Sequence, residues 1–394
     1  MTRTRWSVLA AFVLVTSANQ MLWLTFAPLT TDAAKHYGVG EGAIGVLSAV
    51  FPLLYVFLAL PAGIALDRWF HGSVLWGAAL TAVGALVRLV GDDFGWVLAG
   101  QLLVAVAQLL VTNSVAKMGG AFSTEQDRPT AIAVCSAGLF AGMLLAFASA
   151  AAFGTDHLRL LLLVQAGYTV LGLILLVIGM REPGRLIDET PIASGKAALR
   201  SVWADPVVRS MTGLVVVGFG VFVGLTTWLQ ALLEPDGVSE TEAGVLLLAM
   251  VVAGVVGSLL IPPLAARRST ERSVLLASLV VTACGCVLLA VVHVVIGIGL
   301  ILAAMGLLML ATLPIVLEVM ERRTGSASGT GAAILWMAGN AGGLVVTGIL
   351  ALLLDAPAAA FVVLAVIALL GLPILMRMDP GGLRHDAEVT RVDA

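Results

Sequence analysis

Long apolar runs separated by short polar clusters make up almost the whole chain. Twelve of these runs are long enough to cross a bilayer, since a spanning helix needs about 20 mostly apolar residues. We number them spans 1 to 12, and they cover approximately residues 6–31, 42–66, 73–90, 96–117, 130–153, 158–180, 207–233, 241–265, 272–292, 295–318, 329–354 and 357–376. The runs lack the alternation of polar and apolar residues found in a transmembrane barrel. The pattern therefore predicts an all-α membrane protein with twelve transmembrane helices.

The spans fall into two groups of six, because the longest polar interval lies midway along the chain. We predict an N-terminal six-helix bundle, a central cytoplasmic loop, a C-terminal six-helix bundle and a cytoplasmic tail, which cover residues 1–180, 181–206, 207–377 and 378–394. A shift of 199 residues places Gly45 on Gly244 and Arg68 on Arg267. A parallel repeat of two such halves is how one large class of secondary transporters is built. We therefore expect the two halves to be pseudo-symmetric.

The positive charges are distributed unevenly between the two sides of the membrane. With the amino terminus in the cytoplasm, all of the 21 Lys and Arg residues except Lys35, Arg88 and Arg159 fall on the cytoplasmic side. Because the Lys and Arg bias sets the orientation of membrane proteins, both termini are predicted to be cytoplasmic. We expect a multi-pass protein of the plasma membrane.

The composition narrows the classes of protein and of partner. The 394 residues are 60% hydrophobic and 11% charged, whereas soluble domains carry about 25% charged residues, so the lipid bilayer is the expected surroundings. The three cysteines lie inside apolar runs, which excludes a secreted disulfide scaffold. The net charge of −3 comes without a basic cluster, so no nucleic-acid partner is expected. We expect a monomer with no cofactor and no metal.

One short motif stands at the predicted cytoplasmic end of span 2. The sequence Ala-Gly-Ile-Ala-Leu-Asp-Arg, residues 62–68, resembles the G-x-x-x-D-R signature of the major facilitator superfamily. Gly63 would let another helix approach closely, and Asp67 would lie near a helix amino terminus and neighbouring arginines. The residues predicted to form a cytoplasmic gate are Gly63, Asp67, Arg68, Glu318 and Arg322. The alternative is a charge pair that ends a helix and anchors it at the lipid boundary.

The middle of the membrane is predicted to contain neutral polar and aromatic residues rather than charges. No Asp, Glu or His occupies a mid-depth position in the sequence, which disfavours proton coupling through a central carboxylate. The predicted solute-binding residues are Asn19, Gln20, Trp23, Gln108, Phe222, Trp336 and Asn340. Phe222 is included because the repeat offset places it on Trp23. Aromatic rings facing one another suit a cation that has no charged partner.

Each of these residues also has a structural interpretation. A tryptophan in a membrane helix is often an interface anchor, and that interpretation stays open for Trp23. Asn and Gln side chains often only bridge neighbouring helices. Phe222 would fit equally well against lipid or a neighbouring helix.

Three stretches resemble the subfamily of feline leukaemia virus subgroup C receptor-related transporters. They lie in span 1 (RWSVLAAFVLVTSANQMLW), in span 4 (GQLLVAVAQLLVTNSVAKM) and across spans 10 and 11 (LPIVLEVMERRTGSASGTGAAILWMAGNAGG). The resemblance implies a facilitative carrier linked to choline, ethanolamine or haem, with Trp23 and Gln108 in the binding site. This chain has Asn340 where the family has a glutamine, and Phe222 or a neighbour where it has a tyrosine. Those departures affect recognition of a hydroxyl group and leave the cation–π attraction in place.

Other functional classes fit the sequence less well. A membrane enzyme would need carboxylate or histidine clusters in sizeable loops, and a channel would need a selectivity-filter ring; the sequence has neither. We therefore predict that the protein is no enzyme but a secondary transporter that moves a small organic solute by alternating access. A facilitative carrier of choline-like organic cations is the first candidate, and an efflux transporter for neutral or drug-like metabolites is the alternative.

Overall fold

A computed structural model describes residues 3–153, 157–181, 196–238 and 240–378. Within these ranges the chain forms α-helices and short 3-10 turns, without a β-strand. The predicted all-α class is therefore confirmed. Most of the predicted central loop, residues 182–195, and of the predicted tail, residues 379–394, lies outside the described residues.

The helices of spans 1 to 12 match the apolar runs in number and order. They are Trp6–Leu24, Glu41–Arg68, Phe70–Val87, Phe94–Asn113, Arg128–Phe153, Leu158–Gly179, Pro206–Leu233, Glu240–Arg268, Glu271–Leu289, Val295–Thr324, Ser328–Ala351 and Pro357–Leu369. The shorter elements are the helices Thr30–Tyr37, Val115–Ala121, Lys196–Ala204 and Gly371–Met376 and the 3-10 turns Ala27–Leu29, Glu234–Asp236 and Gly325–Ala327. Eleven described segments are long and apolar enough to cross a membrane, and the 57-residue segment Val295–Ala351 holds both span 10 and span 11. The prediction of twelve transmembrane helices is thus confirmed.

Three spans end four or more residues before their apolar runs. Span 12 ends at Leu369 rather than near residue 376, and the short helix Gly371–Met376 follows it. Span 1 ends at Leu24 rather than near residue 31, because Pro28 lacks an N–H and its ring clashes with the carbonyl four residues before it. Span 4 ends at Asn113 rather than near residue 117. There the Ser114 hydroxyl donates to the Val111 carbonyl at 2.8 Å, and such side-chain bonds compete with the helical ladder.

Two helices begin at aspartates that satisfy free backbone N–H groups. The Asp93 carboxylate accepts from the N–H of Gly95 at 2.9 Å at the start of span 4. The Asp205 carboxylate accepts from the N–H of Val207 at 2.7 Å at the start of span 7. Residues of this type are favoured at the N-cap because their oxygens replace the missing intrahelical acceptors.

The chain packs as two compact units. The first comprises Met1–Val202 and Met320–Asn340, and the second comprises Trp203–Val319 and Ala341–Ala394. The first unit therefore contains spans 1 to 6 together with the adjoining ends of spans 10 and 11. This division follows packing, whereas the boundaries predicted from the sequence follow the repeat, and those boundaries stay a prediction.

Span 1 lies at the centre of the first unit. It packs against spans 4, 5 and 6, and 72% of its spanning window is buried. The approach to span 5 is close, because a Cβ at Gly142 would collide with the Ser17 carbonyl oxygen. This burial on all sides brings the polar residues of span 1 into the interior of the unit.

Candidate functional site

The Asp67 carboxylate lies at the amino end of span 11 and is almost completely buried. Its Oδ1 accepts from the N–H of Gly329 at 2.7 Å. Its Oδ2 accepts from the N–H of Thr330 at 2.8 Å and from the Thr330 hydroxyl at 2.6 Å. The first N–H groups of a helix have no intrahelical acceptor and attract negative charge. Asp67 therefore joins span 2 to the start of span 11 through charge-assisted hydrogen bonds.

The cation beside Asp67 is Lys117, which the sequence analysis did not single out. Its Nζ lies 3.2 Å from Asp67 Oδ1. The same ammonium donates to the Leu66 and Ser326 carbonyl oxygens, each at 3.3 Å, and lies 5.3 Å from the centre of the Phe70 ring. A lysine at the inner end of an apolar run is the signal that would have identified it. Lys117 thus links the short helix Val115–Ala121 to span 2 and to the turn before span 11.

Gly63 allows spans 2 and 11 to touch. A Cβ at this position would lie 2.6 Å from the Gly329 carbonyl oxygen and 2.7 Å from the Ala333 Cβ. Only a residue without a side chain permits this approach of the two backbones.

The other predicted gate residues are Arg68, Glu318 and Arg322. The Arg68 side chain is exposed, and its guanidinium stacks 4.7 Å from the centre of the Trp69 ring. Arg322 is half-buried, and Glu318 is buried but belongs to the second unit. A neighbouring carboxylate, Glu321, forms an ion pair with Arg128.

Besides the contacts of Asp67 and Lys117, the Arg128–Glu321 ion pair joins the N-terminal spans to the end of span 10. Arg128 Nη2 donates to Glu321 Oε1 at 2.6 Å, and the Glu321 side chain is almost completely buried. Arg128 begins span 5. From the sequence, Arg128 is counted only among the cytoplasmic charges. Its pairing with Glu321 leaves no local sequence pattern, because the two residues are far apart in the chain.

Trp23 is attached to the protein through its indole nitrogen. Nε1 donates to the Ser48 carbonyl oxygen of span 2 at 3.0 Å, and the ring leans on Phe51 with the ring centres 5.7 Å apart. The side chain is half-buried. The hydrogen bond uses the polar edge of the indole, and the ring packs against a buried cluster that includes Phe51.

Asn19 lies on the same face of span 1 as Trp23, but its amide nitrogen forms hydrogen bonds with other helices of the protein. Nδ2 donates to the Thr81 hydroxyl and to the Val104 carbonyl oxygen, both at 3.2 Å. The residue is completely buried. This geometry matches the role of a bridge between spans 1, 3 and 4.

Gln20 and Gln108 differ from Asn19 because their amides have no hydrogen-bond partner among the described residues. Both residues are nearly buried, with 6% and 4% exposure. Gln108 follows Val104 by one turn on the face of span 4 that meets span 1. An unpaired amide inside a membrane protein is costly, so these two groups are suited to a solute that supplies donors and acceptors.

Trp336 and Asn340 lie one turn apart on span 11, where it packs in the first unit. Asn340 Nδ2 donates to the Trp336 carbonyl oxygen at 2.8 Å. The Trp336 ring lies 6.4 Å from that of Tyr55. The Tyr55 hydroxyl contacts the Thr112 hydroxyl and donates to Asn113 Oδ1 at 2.9 Å. These buried hydroxyl and amide groups between spans 2 and 4 were missed as a site feature by the sequence analysis.

Phe222 is buried in span 7 of the second unit, and its ring centre lies 6.1 Å from that of Phe219. The other six predicted binding residues belong to the first unit. Within the described ranges there is no group of three or more His, Cys, Asp or Glu residues that could hold a metal ion.

Comparisons with known proteins give the family. The family model described as Major Facilitator Superfamily matches residues 9–347. The chain is 26% identical to "Solute carrier family 49 member A3" of Danio rerio over 313 residues, which cover 74% of this chain and 65% of that protein. It is 24% identical to "Choline/ethanolamine transporter flvcr2b" of Danio rerio, with 88% and 77% covered. It is also 24% identical to "Choline/ethanolamine transporter FLVCR2" of Homo sapiens, with 66% and 54% covered. The matched part is thus about half to three-quarters of the length of these relatives.

Solved structures share the fold. The E. coli fucose:proton symporter FucP superposes with a TM-score of 0.75 at 15% identity, covering 94% of this chain and 97% of that chain. A bacterial homologue of the iron transporter ferroportin gives a TM-score of 0.74 at 15% identity, with 94% and 98% covered. The predicted major facilitator fold is thereby confirmed. The family match over most of the chain and the twelve spanning helices lead to one conclusion: the chain belongs to the major facilitator superfamily and is a multi-pass membrane transporter, not an enzyme.

Proposed function

We propose that the protein is a facilitative carrier of a small organic cation of the choline type. The observation that carries this proposal is the combination of a tryptophan face with two unpaired neutral amides. Trp23 is held by its nitrogen, while the amides of Gln20 and Gln108 lack a partner among the described residues. The relatives named as choline/ethanolamine transporters support the same substrate class.

The chemistry of these residues suits a cation that keeps its charge. A quaternary ammonium cannot donate hydrogen bonds, and a desolvated cation over an indole face gains about 2 kcal/mol. Amide groups accept from and donate to a hydroxyl without requiring a charged partner. Trp23 would hold the ammonium, and Gln108 would orient the rest of the solute, with Gln20, Trp336 and Asn340 as further lining residues. The binding role of Phe222 stays a prediction.

We also propose that the contacts of Asp67 form a cytoplasmic gate. They join span 2 of the first repeat to Gly329 and Thr330 at the start of span 11, which belongs to the second repeat. Alternating access requires the repeats to move against each other, so these bonds must break when the inner side opens. Lys117 and the Arg128–Glu321 pair join the gate, and Arg68, Glu318 and Arg322 stay predicted gate residues.

The proposal extends to the topology. The termini are cytoplasmic, the protein lies in the plasma membrane, and it works as a monomer. The Lys and Arg distribution supports the orientation. Labelling of single cysteines at each terminus by an impermeant maleimide in intact cells tests it.

Uptake by proteoliposomes tests the substrate. The purified full-length protein should take up radiolabelled choline saturably and downhill, without an imposed ion gradient. The neutral isostere 3,3-dimethylbutan-1-ol should compete roughly 30-fold more weakly than choline, which is the ratio that about 2 kcal/mol of cation–π attraction gives. Equal competition by the two compounds, or no choline uptake, would reject the cation and favour the alternative of neutral-solute efflux, because uncharged amides also suit neutral compounds.

A further inference from the structure

The outer end of span 1 leaves backbone carbonyls without partners from its own helix. The helix ends at Leu24, so the carbonyl groups of its last turn have no N–H four residues ahead to accept from. Inside a membrane protein such groups must be satisfied by other donors. Trp23 lies in this last turn.

Gln101 of span 4 supplies the missing donor. Its Nε2 lies 3.0 Å from the Leu22 carbonyl oxygen and 3.2 Å from the Trp23 carbonyl oxygen. The residue is completely buried. The Thr25 hydroxyl, with its single proton, lies within hydrogen-bonding distance of three acceptors: the Met21 and Leu22 carbonyl oxygens and the Gln165 amide oxygen. The main chain at Trp23 is therefore attached to span 4 through one side chain.

The indole of Trp23 has a separate attachment to span 2, the bond to the Ser48 carbonyl oxygen. Packing and hydrogen bonds together hold a site side chain in one direction. The Gln101 bonds hold the main chain of Trp23, and the Ser48 bond holds the far end of its indole. Loss of either attachment would weaken the hold on the ring.

A buried cation lies at the same end of span 1. The Arg88 guanidinium lies 5.1 Å from the centre of the Phe26 ring, and the residue is 1% exposed. A positive charge near the carboxyl end of a helix complements the partial negative charge there. The charge of Arg88 thus stabilises the carboxyl end of span 1 in the position that the Gln101 bonds hold.

We infer that Gln101 is a positioning residue, which holds the main chain of Trp23 so that the indole face is presented to the solute. Gln101 does not touch the solute; it acts through Trp23. The inference rests on the proposed function in so far as Trp23 binds the transported cation.

A double-mutant cycle with choline as the probe tests the coupling. Gln101→Met keeps the length of the side chain and removes its donors. We expect it to raise the Kd for choline roughly tenfold, within the coupling range of residues in contact. In the Trp23→Ala background the same substitution should change the Kd less than twofold. Gln165→Met is the matched control, because Gln165 is an equally buried glutamine that bonds Thr25 and Ser149 and not the Trp23 carbonyl.

Tryptophan fluorescence, measured without any solute, tests this inference independently of the proposed function. Acrylamide quenching of Trp23, taken as the difference between each protein and its Trp23→Phe counterpart, should rise in Gln101→Met and stay unchanged in Gln165→Met. Unchanged quenching in Gln101→Met, or an equal rise in the control, would overturn the inference even if choline binds. If the wild-type protein does not bind choline but quenching changes as expected, the positioning role stands and the substrate assignment fails.

Discussion

Lys117 Nζ and Asp67 Oδ1 lie 3.2 Å apart, and both side chains are almost completely buried. Neither charge is hydrated, so each is stabilised by the other charge and by the surrounding hydrogen bonds. The Asp67 carboxylate adds two backbone N–H groups and a hydroxyl from the start of span 11. One carboxylate therefore satisfies donors from the short helix Val115–Ala121 and from span 11.

Neutralising Asp67 should weaken the gate and destabilise the protein. Asp67→Asn keeps the shape but leaves the Lys117 ammonium buried without its counter-charge, which costs about 3–5 kcal/mol when a buried pair is broken. We expect a lower melting temperature of the purified protein and slower choline uptake. The double variant Asp67→Asn with Lys117→Met should recover part of the melting temperature, because no unpaired charge remains. A melting temperature equal to that of the wild type in Asp67→Asn would contradict the assignment.

Removal of the proposed solute contacts should abolish transport without unfolding the protein. Trp23→Ala deletes the aromatic face together with one hydrogen bond, to the Ser48 carbonyl oxygen. Gln108→Ala deletes an amide that bonds no described residue. Choline uptake should fall to background in both variants, while elution in size-exclusion chromatography stays unchanged. Trp76→Ala is the control, since that ring is 67% exposed on span 3. Normal uptake in both Trp23→Ala and Gln108→Ala would reject the binding site.

A methyl group at Gly63 should separate spans 2 and 11. Its Cβ would lie 2.6 Å from the Gly329 carbonyl oxygen, which is backbone and cannot rotate away. Gly63→Ala should therefore reduce choline uptake and increase labelling of a single cysteine placed at Ser326 by a maleimide added from the cytoplasmic side. Gly45→Ala lies on the same helix with nothing within 4 Å of the added Cβ, and it should behave like the wild type. Equal labelling in the two variants would argue against a closed contact at Gly63.

The Arg128–Glu321 ion pair should add to the stability of the closed gate. Glu321→Gln removes the charge that faces Arg128 at 2.6 Å, and a charge-assisted bond of this kind contributes more than a neutral one. We expect a smaller fall in melting temperature than for Asp67→Asn, because the Arg128 side chain is partly exposed and water can solvate it. Arg323→Gln, at an exposed position on the same helix, is the control. A fall in Arg323→Gln as large as in Glu321→Gln would show that the ion pair has no special role.

The span boundaries show which features depend on local sequence. Eight apolar runs end close to the helix ends, because an apolar segment in lipid must satisfy its own backbone and does so as a helix. Spans 1, 4 and 12 end earlier, at Leu24, Asn113 and Leu369, and span 10 continues to Thr324. For spans 1 and 4 the cause lies at Pro28 and Ser114. A hydropathy pattern does not show a proline clash or a hydroxyl hydrogen bond, so the sequence pattern alone placed these ends too late.

The site residues also divide into features set by local sequence and features set by tertiary packing. The sequence by itself determined the twelve helices, the six-plus-six order and the neutral character of the mid-depth side chains, because these follow from apolar length and from the position of charges. Only the tertiary structure decided that Asn19 bridges helices, that Gln20 and Gln108 remain unpaired, and that Lys117 rather than Arg68 meets Asp67. Those outcomes depend on which faces of distant helices pack together, and close packing selects partners that lie tens to hundreds of residues apart in the chain.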